Sequence, residues 1–96
     1  MTMDFSTLKS KNGEKYDDFV KKAKEKRKFE FTLDGNFYKS DEYEFENAKF
    51  WRMFRNNEDL IPYKIFISFD DHMEEKIFGE FSIPEKFEEI TIVSYD

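Results

Sequence analysis

Apolar and polar residues alternate through the last third of the chain. Over Pro62–Asp70, Tyr63, Ile65, Ile67 and Phe69 fall on one side, and Lys64, Phe66 and Ser68 on the other. Over Lys76–Ile83, Ile77, Gly79, Phe81 and Ile83 oppose Phe78, Glu80 and Ser82. Over Glu89–Tyr95, Ile90 and Ile92 oppose Thr91, Val93 and Tyr95. A period of two is the signature of a strand. The three runs predict a C-terminal three-stranded antiparallel meander, with Asp71-His72-Met73-Glu74-Glu75 as a tight acidic tip between the first two. Gly79 inside a strand predicts a bulge or a close approach by another element. Apolar residues on both faces of the third run predict a central or well-covered strand.

Upstream the period changes. Tyr16, Phe19, Val20, Ala23 and Arg27 recur at helical spacing and predict a helix over Glu14–Lys28, with Ser10 or Asn12 as its cap. Acids lead this helix and bases trail it, in the order that suits the helix dipole. Phe29, Phe31 and Leu33 alternate with Glu30 and Thr32, which predicts a half-buried strand. Asp34-Gly35 is a hairpin signal that returns the chain along Asn36–Lys39. Residues 40–46 fit two patterns: a continued strand, in which Tyr43 and Phe45 alternate with Glu42, Glu44 and Glu46, or a helix capped by Ser40. From Asn47 to Asn57, Phe50, Trp51 and Phe54 share a helical face with Asn47 and predict a second helix. The expected fold is α+β: an antiparallel sheet of about four to five strands with two helices on one face, in one domain over residues 1–96. Tyr16, Phe19, Trp51 and Phe54 are expected to pack on the sheet.

Composition narrows the class. Thirteen Phe, five Tyr and one Trp exceed what one small core hides, so some aromatics are expected at the surface, where a cluster marks an interaction site. With no cysteine, disulfides and thiolate metal sites are excluded. Met1–Leu8 lacks a basic start followed by an apolar run, and no apolar stretch has the length of a membrane span. A soluble, cytoplasmic protein is expected. The net charge is −6, unevenly spread: residues 1–28 carry nine bases and five acids, residues 29–96 seven bases and seventeen acids.

Chemistry has few footholds here. A nucleophile needs a base and an orienting group, yet His72 is the single histidine. Gly13, Gly35 and Gly79 stand too far apart for a phosphate-cradling loop. Asp70-Asp71-His72-Met73-Glu74-Glu75 is rich in oxygen ligands, but its spacing does not fit a calcium loop, and paired carboxylates at an exposed tip lack the cleft that raises a catalytic pKa. No cofactor, metal or catalytic residue is assigned, and no enzyme is expected. The acids point instead to recognition by charge: Asp70, Asp71, Glu74 and Glu75 in one group, and Asp41, Glu42, Glu44 and Glu46 in a second. Glu58-Asp59 and Glu85, Glu88, Glu89 add to them. Carboxylates gathered on one face imitate the phosphates of a duplex, which carries one charge per ~1.7 Å of axis.

In composition the chain resembles phage anti-defence proteins, anti-CRISPR proteins among them, and the immunity proteins of nuclease toxins: small, acidic, poor in cysteine and free of motifs. That resemblance implies a small acidic inhibitor that occludes a basic partner, a nuclease or nucleic-acid-binding complex of a host or competitor. Carboxylates steer the encounter and aromatics anchor it. The alternatives are a nucleic-acid-binding module using Lys21, Lys22, Lys24, Lys26, Arg27 and Lys28, which the net charge disfavours, or a structural or regulatory subunit docking through an exposed sheet edge or through the aromatic surplus.

Overall fold

A computed structural model of the chain describes residues 5–56 and 62–96. Met1, Met3, Glu58, Asp59 and the expected helix end at Asn57 lie outside the described residues. The elements run α1 (Tyr16–Lys26), β1 (Lys28–Leu33), β2 (Asn36–Phe45), β3 (Ala48–Arg55), β4 (Lys64–Phe66), α2 (Phe69–Glu74), a 3₁₀ helix (Pro84–Glu89) and β5 (Thr91–Ser94). The strands form one antiparallel sheet in the order β4-β3-β2-β1-β5. The fold is α+β, as the patterning predicts.

One face of the sheet carries the core. Phe29, Phe31 and Leu33 of β1, Tyr38 of β2, Trp51 and Met53 of β3, Phe66 of β4 and Ile92 of β5 all point to it. Phe19 and Ala23 of α1, Phe69 and Met73 of α2, and Ile77, Ile83, Phe87 and Ile90 of the connecting segments close over them. Rings set the spacing: Phe19 meets Phe29 edge-on at 5.0 Å, and Phe69 meets Trp51 at 5.2 Å. Offset and edge contacts of this kind add to what area burial alone supplies.

α1 is shorter than its periodicity suggests. Lys15, not Ser10 or Asn12, is its N-cap, and Arg27 ends it in the left-handed region. Ser10 and Asn12 do other work. The Asn12 amide donates to the Ile92 carbonyl at 2.8 Å and its Oδ1 accepts from the Ile92 N–H at 3.1 Å. That side chain stands in for a missing neighbouring strand and covers the β5 edge.

The predicted second helix is strand β3. Residues 40–45 are strand as well, the end of β2, and Glu46-Asn47 form the turn between β2 and β3 with φ of 51° and 69°. Two left-handed residues in a row make the turn type that suits strand twist, as Asp34 and Gly35 do between β1 and β2. Trp51 and Met53 point into the core, while Phe50, Arg52 and Phe54 point to the opposite face. Apolar residues on both faces hide the period of two. Phe54 is buried, but on the open face, beneath Lys39 and Arg52.

The C-terminal meander is not present. Within Pro62–Asp70 the strand is Lys64–Phe66. The acidic tip is helix α2: Ser68 caps it, accepting from the Asp71 N–H at 3.1 Å, with Asp70 and Asp71 in its first turn. Lys76–Ile83 holds only a two-residue bridge between Phe78 and Phe81 around a tight turn. Gly79 serves that turn, with φ of 74° and nothing within 4 Å of where a Cβ would stand, so neither a bulge nor a close approach explains it. β5 is an edge strand on β1, at the opposite end of the sheet from β4, and not central. Ile77 and Ile83 are spent on the core rather than on a sheet face.

Candidate functional site

Helix α2 sorts its residues by side. Phe69, His72 and Met73 turn into the core, and Asp70, Asp71 and Glu74 turn to solvent, with exposed Glu75 following as the C-cap. None of these four carboxylates takes part in an ion pair among the described residues. His72 is therefore no partner to them. Its ring stacks on Phe66 at 4.1 Å and its Nε2 lies 2.9 Å from Ser40 Oγ. Among the described residues no group of three or more His, Asp or Glu is arranged to hold a metal ion.

A groove of about 580 Å³ runs between α1 and α2. Its floor is apolar: Tyr16, Val20, Phe69, Met73 and Pro84. Its rim carries Asp17, Asp70, Glu74 and Glu85 against Lys76. Lys76 is bound to Glu85, which the Ser82 N–H and hydroxyl also contact at 3.0 Å each. These donors, Lys76 first, hold the Glu85 carboxyl down at about 2. The pair consumes the one cation of the described rim, and Asp17, Asp70 and Glu74 have no ion-pair partner among the described residues. The Tyr16 hydroxyl registers that field. Burial pushes its pKa up to about 12, and the charges of Asp70 and Asp17 add to the rise. The groove thus couples an apolar floor to a negative rim, a combination that suits a basic segment with apolar anchors.

The second acidic group does not gather into a comparable surface. Asp41 accepts two bonds from Arg52, at 2.7 and 3.0 Å, and is neutralised there. Glu42 stands 4.0 Å from Arg27 and lines a cleft with Ser68 and Phe69 at the start of α2. Glu44 pairs in register with Lys49, and Glu46 occupies the turn. Strand alternation puts Asp41 on the open face and Glu42 and Glu44 on the helix side. Of the eight carboxylates singled out in the sequence, the four on α2 form the coherent set. Of these, Asp70 and Glu74 line the groove together with Glu85, Asp71 and Glu75 line a neighbouring cleft with Ile65 and Ile67, and Glu88 and Glu89 lie exposed on the 3₁₀ helix.

The basic run divides at the end of α1, with Arg27 closing the helix and Lys28 opening β1. Lys22 binds Glu14 at 3.1 Å, and Lys24 sits over the Phe69 ring at 5.4 Å. It does not present six cations on one helical face.

The open face of the sheet carries a surface that the sequence pattern does not locate. Residues 43–50 extend past β1 and β4 as a two-stranded arm. Phe45 is 57% exposed at its end, and Tyr43 meets Phe50 edge-on at 5.3 Å. Ile65, 60% exposed, continues the apolar surface next to Arg52. The signal was present as the aromatic surplus, but its location depended on β3 being a strand. Among the described residues no helix is long and apolar enough to cross a membrane. No family model, no curated protein and no solved structure matches the chain.

Proposed function

We propose that this chain is a small acidic inhibitor that binds a basic, nucleic-acid-handling protein and occludes its working surface. The observation that carries the reading is the α1–α2 groove, whose apolar floor is bordered by Asp17, Asp70 and Glu74, none of which has a cationic partner among the described residues. The four acids of α2 and its cap span five residue steps. At a rise of ~1.5 Å per residue that is roughly 7.5 Å, or an average spacing of about 2.5 Å between charges. Such a spacing is of the same order as that of a duplex, about one charge per 1.7 Å, so α2 competes with phosphates for a basic groove. The protein acts by occupancy in the cytoplasm, without bond chemistry, in the manner of phage anti-defence or nuclease-immunity proteins. Exposed Phe45 and Tyr43 on the arm offer additional anchoring area.

The experiment is displacement. With the partner recovered from the native host by affinity capture, a labelled oligonucleotide bound to that partner should be released by the native chain. The variant D70K/D71K/E74K/E75K, folded by circular dichroism, should not release it. Release by both chains, or by neither, contradicts the proposal.

A further inference from the structure

The molecule has a second groove of opposite character, at the end of the sheet away from the arm. It measures about 430 Å³, within the range of small-ligand sites. Tyr38 and Arg55, partners in register on β2 and β3, form one wall with Tyr63. Phe78 and Phe81, on either side of the tight turn at Gly79, form the other with Lys86.

Each wall carries a cation lying on an aromatic ring. The Arg55 guanidinium is 4.2 Å from the Tyr63 ring centroid, and the Lys86 ammonium is 4.4 Å from that of Phe81. Both rings remain open to solvent, Tyr63 at 37% and Phe81 at 42%. Arg55 has no carboxylate within ion-pair distance among the described residues, and Lys86 shares its charge with Glu89 at 3.1 Å. Among the described residues Asp34 is the one acid of the lining. In a chain of net charge −6, the described lining of this groove holds two cations and one anion, the reverse of the α1–α2 groove.

We propose that this groove binds a planar aromatic ring that carries an anionic group, and that a nucleoside monophosphate is its ligand. The base stacks among Tyr63, Phe78 and Phe81, and the phosphate takes the Arg55 fork and the Lys86 ammonium. Stacking on aromatic rings tolerates any base, because each has a π-face. A guanidinium already lying on a ring is preorganised for a phosphate oxygen pair, and its partial desolvation strengthens the contact. The site is separate from the acidic groove, and neither depends on the other.

The test is a titration of the full ¹⁵N-labelled chain with AMP and, separately, UMP, followed by chemical shifts. Saturable shifts are expected around Tyr38, Arg55, Phe78 and Phe81. Adenosine and inorganic phosphate should each bind at least about tenfold more weakly than AMP, since each lacks one half of the contact. Arg55→Ala and Lys86→Ala should each weaken AMP about tenfold, Phe81→Ala about fivefold, and Arg55→Lys by an intermediate amount. Circular dichroism checks that each variant folds, and Arg55→Lys and Lys86→Ala keep the test decisive if Arg55→Ala does not. Absence of shifts at millimolar nucleotide overturns the proposal. So does undiminished AMP binding by the Arg55→Ala/Lys86→Ala double variant, or equal binding of phosphate alone. Tighter binding of phosphotyrosine than of either nucleotide overturns the choice of ligand.

Discussion

Ser40 Oγ and His72 Nε2 lie 2.9 Å apart with neither residue exposed, and this bond ties the middle of the sheet to α2. The other ring nitrogen, Nδ1, has no hydrogen-bond partner among the described residues. Burial pushes the His72 pKa down from 6.5 to about 4, because a charged imidazole cannot be hydrated there.

This buried ring makes stability depend on pH. The unfolded chain binds the His72 proton more tightly than the folded one, so stability is full above pH 6.5 and declines as the pH falls toward 4. The slope is about 1.4 kcal/mol per pH unit, or about 2 kcal/mol between pH 6.5 and 5. Glu85, held at about 2, acts only where unfolded carboxylates titrate, below this window. Urea denaturation at pH 6.5 and 5 should show the loss in the native chain and a flat profile in Ser40→Ala/His72→Leu. A flat profile in both denies the buried, neutral histidine.

The β2–β3 turn holds Glu46 at φ of 51°, a conformation that costs an L-residue about 1 kcal/mol. Glu46→Gly relieves it at some cost in chain entropy. A net gain of about 0.5 kcal/mol in denaturant is expected. Destabilisation by this substitution indicates a different turn.

Asp41 and Arg52 form a two-bond ion pair on the open face, with the guanidinium also 4.3 Å from the Tyr43 ring. Both side chains are about a quarter exposed, so screening limits the pair. A double-mutant cycle with Asp41→Asn and Arg52→Gln should give a coupling of about 1 kcal/mol at low salt, reduced at 0.5 M. No coupling at low salt contradicts the geometry.

Some of this architecture is written locally in the chain. Phe29, Phe31 and Leu33 alternate cleanly because Glu30 and Thr32 mark the other face, and Asp34-Gly35 names its own turn. Phe19 and Ala23 show the buried side of α1. Other parts depend on tertiary context. Trp51 lies between Phe50 and Arg52, and neither period stands out until Lys39 and Arg52 are seen covering Phe54. The Glu46-Asn47 turn lacks the glycine that would announce it. Ser68 followed three residues later by Asp71 is a capping signal, but it sits inside an apolar alternation that outweighs it. The acids of α2 were legible as exposed charge. Their setting beside an apolar floor was not, because Tyr16, Val20 and Pro84 are distant in sequence. The pairing of Asp41 with Arg52 is equally hidden, because it exists only where β2 and β3 pair as strands.

The proposed binding surface is the α1–α2 groove with the carboxylates of α2 and its cap in and beside it. The measurement that tests it most directly is parallel affinity capture from native-host lysate with the native chain and with D70K/D71K/E74K/E75K, the retained proteins being identified by mass spectrometry. The native chain is expected to retain a basic nucleic-acid-handling protein, the variant to lose it, and retention by the native chain to weaken as salt rises. Equal retention of that protein by both chains, or retention of no basic protein by either, would contradict it.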